Sequence, residues 1–211
     1  MSELLTKIKG FLLTPTAAFS SARADSLSTS YQYYVILLVI FSILYGIVSY
    51  VTAMDAFGSF VTGLAAIPIL GDAVSGVAEQ FVTFIGLFSV FWTYVMFLMG
   101  LVTIFISGFI YHLFVLLMGG EKGIVQTLKC TMYAQTPALL LGWIPFINII
   151  AFIWYLILQI VGIKEMQEIT TGKAILVVLI PLILSLIFVV ILAAMVIAFV
   201  GGIGSILAQV A

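Results

Sequence analysis

Long apolar stretches separated by short polar ones dominate this chain. Uncharged runs extend from Ser26 to Met54 (29 residues), Gln80 to Gly120 (41), Cys130 to Ile163 (34) and Ala174 to Ala211 (38). Each exceeds the roughly 18–20 apolar residues that cross a hydrocarbon core about 30 Å thick. The pattern therefore predicts an all-α integral membrane protein.

The first span is expected at 31–54, where Tyr31, Tyr33 and Tyr34 stand as interfacial aromatics and Asp55 closes the run. Residues 57–80 carry Gly58, Gly63, Pro68, Gly71, Asp72, Gly76 and Glu79, too broken and polar for a lipid-exposed span. They read as an interfacial or re-entrant segment, allowed only where protein or water covers the backbone. From Phe81 to Met118 there is no polar hinge, so 81–118 is read as one long helix, tilted or kinked. Further spans are expected at 129–143, 146–163 and 174–200, the last with Ala194, Ala198 and Gly202 at a spacing that lets helices approach and permits a homo-oligomer.

Charge then orients the chain. If 129–143 crosses, the segments 1–30, 119–129 and 164–173 lie on one side and hold all seven basic residues, while Asp55, Asp72 and Glu79 lie opposite. The positive-inside rule thus favours five transmembrane helices, with the N-terminus cytoplasmic and the C-terminus external. The chain divides into a cytoplasmic or interfacial segment 1–30 and one five-helix membrane domain, 31–211. In the first segment Leu4, Leu5, Ile8, Phe11 and Leu12 share a helical face, which suits a helix lying in the interface or one packed on the protein. Its charged start and Pro15 do not read as a signal peptide.

Composition narrows the chemistry. The chain is 64% hydrophobic and 7% charged, against about 45–50% and about 25% in soluble domains. A net charge of −1 argues against nucleic acid as a partner. One His and one Cys are too few for a metal cluster. The carboxylates lie at the membrane surfaces while His112 lies within, so no catalytic triad forms, and no cofactor or enzymatic activity is expected. Cys130 reads as a small core residue.

The stretch Gly119 to Pro137, GGEKGIVQTLKCTMYAQTP, is unusually polar for this chain. On a helix Ile124, Leu128, Met132 and Leu139 form a stripe expected to meet lipid, with Gln126, Lys129, Tyr133 and Thr136 opposite, facing other helices. Lys129 is expected to reach the interface. Pro137 has no N–H, so the carbonyl of Tyr133 loses its usual donor and needs a side chain, a water or a ligand. His112, Gln135 and Gln159 lie at one depth, about 8–9 Å in from the polar ends at about 1.5 Å per residue. With Tyr133 and Pro137 they form a candidate intramembrane polar cluster, either interhelical glue or a substrate or proton site. Glu121, Lys122, Lys129, Lys164 and Glu165 form a candidate cytoplasmic contact surface.

The order GGEKGIVQTLKCTMYAQTP, then Trp143-Ile-Pro145, then GIKEMQEITTGKA, with LLTPTAAF near the N-terminus, resembles the Yip domain family, named for interaction with Ypt and Rab GTPases. Tyr133 and Pro137 match its Tyr-x-x-x-Pro element. The resemblance implies five spans and a cytoplasmic N-terminus. It also implies a membrane adaptor related to vesicle-trafficking proteins, here of the short prokaryotic, plasma-membrane type. The leading expectation is a non-enzymatic scaffold that contacts the bilayer and other membrane or cytoplasmic proteins. The alternative is a transporter or binding protein for a small molecule, ion or lipid, using a polar cavity on the cytoplasmic side.

Overall fold

The computed structural model describes residues 2–210, with side chains for 3–71, 74 and 77–201. The described elements are all helices: α1 (Ser2–Leu13), α2 (Pro15–Ala22), α3 (Leu27–Ala65), α4 (Gly71–Leu117), α5 (Ile124–Ala134), α6 (Thr136–Leu141), α7 (Ile147–Gln167) and α8 (Thr171–Val210). Four of them, α3, α4, α7 and α8, are long and apolar enough to cross a membrane.

Local sequence explains the boundaries. Pro15 opens α2 at a position whose N–H would have had no partner. Ser26 caps α3, its side chain accepting from the Thr29 N–H at 3.0 Å. After α4 the chain reverses at Gly119, with φ of 78°. There the Gly120 N–H reaches the Val115 carbonyl at 2.9 Å and the Gly119 N–H reaches that of Leu116 at 3.0 Å, the paired bonds of a Schellman turn. A side chain at Gly119 would strain that left-handed backbone.

Residues 57–80, expected as a separate interfacial or re-entrant segment, belong instead to a helical hairpin: the end of α3, a turn at 66–70 holding Pro68, and the beginning of α4. Gly58 and Gly63 stay inside α3 because one glycine costs a helix only about 1 kcal/mol. Helix α4 runs unbroken for 47 residues, about 70 Å at about 1.5 Å per residue.

The 129–143 region is not one continuous helix. It begins at Ile124 and breaks at Gln135, leaving helices of 11 and 6 residues. Of the apolar stripe expected to meet lipid, Ile124 is exposed, but Leu128, Met132 and Leu139 are all buried, as is every residue from Thr127 to Ala134. Helix α5 is enclosed by α3, α4 and α7, with the link that follows α2 closing over Lys129. The close approach of α7 depends on Gly162, where a Cβ would stand 2.5 Å from Cys130 Sγ and 2.7 Å from Phe19 Cε1.

The core therefore gathers at one end, from Phe11, Phe19, Tyr33, Leu37, Leu158 and Val177 among others. Of the N-terminal face, Phe11 is buried, and Leu4 and Ile8 pack against the core, so α1 lies on the protein. Toward the other end, α8 is exposed from Ile183 to Val200, Ala194 and Ala198 included. The side chains beyond 201, and with them the Gly202 end of that stripe, lie outside the described residues.

Candidate functional site

Helix α5 carries polar groups on more than one face, and each meets a different neighbour. Thr127 accepts from Gln167 Nε2 at 2.8 Å and pairs with His112 Nδ1 at 3.0 Å. With Gln167 on one lone pair, the hydroxyl keeps a proton and a second lone pair, and either can meet Nδ1. One turn on, Gln159 Nε2 donates to Thr131 Oγ1 at 3.1 Å, and Thr131 donates to the Thr127 carbonyl at 2.9 Å. Gln167 also clamps the turn before α5, accepting from the Lys122 N–H at 3.1 Å and donating to the Gly123 carbonyl at 2.9 Å. Among the described residues Gln159 Oε1 finds no donor.

Near the α5–α6 joint, the Thr136 hydroxyl donates to the Tyr133 carbonyl at 2.5 Å. Thr136 Oγ1 in turn stands 2.9 Å from the Tyr33 hydroxyl, which donates to it. The carbonyl freed by Pro137 is thus satisfied by a side chain one residue before the proline. Pro137 itself is buried at the start of α6, and Gln135 stands half-buried at the joint.

Tyr133 points elsewhere. Its ring stacks on Phe11 with centroids 4.5 Å apart, and its hydroxyl donates to the Asp25 carboxylate, which also takes Lys7 Nζ at 2.8 Å. Partial burial raises the Asp25 pKa, but the hydrogen bonds from Lys7 and Tyr133 and the charges of Lys7 and Lys129 outweigh it. The net effect holds this carboxyl below its ordinary value.

Lys129, expected on the exposed contact surface, is instead 2% exposed. Its ammonium donates to the carbonyls of Ala22 at 3.3 Å, Arg23 at 2.8 Å and Asp25 at 2.8 Å. All three of its protons are used at the C-terminal end of α2, where the helix dipole also favours a cation. The physical reason for its burial is that the end of α2 presents a set of carbonyls that water would otherwise have to reach.

The remaining expected contact residues lie at a rim of ion pairs in which the side chains of Lys122, Lys164 and Glu168 are exposed and that of Glu165 is only 17% exposed. Arg23 binds Glu168 at 2.6 Å and Glu165 at 3.7 Å, Lys122 pairs with Glu168, and Lys164 lies 3.2 Å from Glu165. The Lys122 hydrogen bond is the main cause that lowers the pKa of Glu168. Glu121 is exposed beside this rim.

The expected cluster is therefore divided. His112 and Gln159 meet through two threonines, Tyr133 faces α1 and Asp25, and Gln135 and Pro137 form the joint. Reading the sequence missed Asp25, Lys7, Thr127, Thr131, Gln167 and Glu168. Thr127 and Thr131 carried a signal in their four-residue spacing on one helix face. Asp25 carried none, since Lys7 lies 18 residues before it and Tyr133 and Lys129 more than 100 residues after it along the chain.

A family model described as the Yip1 domain matches residues 9–193. No curated protein and no solved structure matches the chain.

Proposed function

The chain belongs to the Yip1 domain family of multi-pass membrane proteins, and on that premise we propose that it acts as a non-enzymatic membrane scaffold or adaptor. Its working surface is the charged rim formed by Glu121, Lys122, Lys164 and Glu165 with Arg23 and Glu168. This rim faces the cytoplasm of a prokaryotic cell, with the protein in the plasma membrane and the C-terminus external. Helices α5 and α6 together form the fifth crossing: their 18 positions, 124–141, extend about 27 Å at about 1.5 Å per residue.

One observation carries this reading. The polar side chains of α5 are committed inside the protein, whereas the ion-paired rim is concentrated at one end and solvent-accessible, with Lys122 side chain 47% and Lys164 41% exposed. Exposed ion pairs add little to stability, but a patch of both signs sets which surface can dock against it.

Neutralising Lys122, Lys164 and Lys173 together tests the proposal. Proteins recovered with the wild-type chain from detergent-solubilised membranes should be lost from the triple glutamine variant, while its melting temperature stays within about 2 °C. An unchanged set of partners defeats the scaffold reading. A C-terminal reporter active only in the cytoplasm would overturn the orientation.

A further inference from the structure

A groove of about 610 Å³ opens between α3 and α4, away from the buried polar end. Its floor is a close helix contact, where a Cβ at Gly46 would stand 3.2 Å from Thr93 Cγ2. The Thr93 hydroxyl is already used, donating to the Ser89 carbonyl at 2.9 Å. Val39, Ile43, Ile47 and Phe97 supply apolar walls. Tyr50 stands toward one end, its ring against Gly86, and Tyr94 beside the Gly46–Thr93 contact; both are exposed, and among the described residues neither hydroxyl has a partner within the protein.

Three features identify an occupant. The first is length: the groove follows α3 from Val39 to Val51, about 18 Å at about 1.5 Å per residue. One leaflet of a hydrocarbon core about 30 Å thick offers chains of about 15 Å. The second is depth. On a different face of α3, Ser49 and Thr52 share a cavity with Trp143, Pro145 and Asn148, the connection where α7 begins. This places Tyr50 at the level of the Trp143 connection, where tyrosine and tryptophan mark the membrane boundary. The third is width. Helices dock in lipid where small side chains let backbones approach; here Gly46 is already covered by Thr93 of α4, and Ser42 lies between the branched and aromatic side chains of Val39, Ile43, Ile47 and Phe97. A single flexible chain fits between them more readily than a second helix.

We propose that the groove holds one acyl chain of a phospholipid from the leaflet at the Trp143 end, with the ester region meeting the hydroxyls of Tyr50 and Tyr94. This site is independent of the charged rim and of the scaffold reading. It is continuous with the bilayer that surrounds α3 and α4. Retention through detergent washing distinguishes such a bound lipid from the passing lipid that touches every exposed helix face.

Native mass spectrometry of the washed full-length protein tests it. Wild type should retain phospholipid, and the pair Ile43→Trp and Ile47→Trp, which fills the groove from its exposed wall, should lower retention about tenfold. The control pair Ile187→Trp and Val190→Trp on the exposed face of α8 should leave it unchanged. Tyr50→Phe with Tyr94→Phe should lower it about threefold, the scale of lost interhelical-type hydrogen bonds in membranes. Equal retention by the groove pair and wild type, or no lipid retained by wild type, overturns the proposal. So does a copy-to-copy disulfide formed by Ile47→Cys, which would place a second chain in the groove. A phospholipid with a photoreactive acyl chain gives a reading free of variants: adducts concentrated on 39–51 and 90–97 support the site. Equal labelling of α8 overturns it.

Discussion

At one end of the molecule α5 is covered along its length from Thr127 to Ala134, whereas the far half of α8 from Ile183 to Val200 is exposed throughout. The contrast follows polarity. Thr127, Lys129, Thr131 and Tyr133 would be costly against hydrocarbon, so protein groups must surround and bond them. Leucine, isoleucine and valine on α8 gain nothing by leaving lipid for protein, since lipid tails are as apolar as they are. Stability should therefore reside at the polar end, and substitutions should reveal it by their unequal cost.

The largest effect is expected at Lys129. Lys129→Ala removes a buried ammonium and its bonds to three carbonyls at and after the end of α2, of which Ala22 keeps the Asp25 N–H, Arg23 keeps Gln126 Nε2 and Asp25 loses its donor, and should cost about 3 kcal/mol. Denaturant titration in detergent measures it, and a cost below that of an exposed lysine substitution would break the contrast. Next is Gly162→Ala, whose Cβ would press on Cys130 and Phe19 and should cost about 1–3 kcal/mol by the same titration.

The Asp25 junction should add a pH dependence. Its carboxyl is lowered in the folded protein, so its stabilisation is complete above the ordinary value of 3.8 and is lost as pH falls through the lower folded value. Stability followed from pH 7 to 3 should fall at the acid end in wild type and fall less in Asp25→Asn. At neutral pH that variant should already have lost about 1 kcal/mol. Parallel acid limbs for the two proteins would show that Asp25 does not supply the dependence.

Smaller still is Thr136→Val, which removes the donor to the Tyr133 carbonyl and should cost about 0.6–1 kcal/mol. Least of all, Ile187→Ala with Val190→Ala on exposed α8 should change stability by under about 0.5 kcal/mol. A cost near that of Lys129→Ala would mean that this face is packed against something other than lipid.

The same contrast separates what could be read in the sequence from what could not. The long apolar runs identified α3, α4, α7 and α8, because length and apolarity alone decide whether a helix can span. Pro137 marked the Tyr133 carbonyl that needs a new donor, but Thr136, placed on the stripe facing other helices, was not identified as the group that supplies it. Lys129 was misplaced because the end of α2 that captures its ammonium is brought near only by folding. Leu128 and Met132 were assigned to lipid on periodicity. A helix enclosed on all sides has no lipid face for periodicity to find. The Asp25 junction stayed hidden for the same reason as Lys129: its partners come from α1 and α5, and local sequence carries no mark of them.

The separation between Asp25 and Lys129 also sets a schedule. The two positions lie 104 residues apart, and a ribosome adding about 5–20 residues per second needs roughly 5–20 s to travel from one to the other. Through that interval α2 exists without the lysine that caps its end, and α1 without the tyrosine that Phe11 stacks on. The earliest-made part of the protein is thus completed by one of its later parts. A chain interrupted before α5 would leave the apolar sides of α1 and α2 without the partners that cover them in the finished fold, open to the quality-control machinery of the cell.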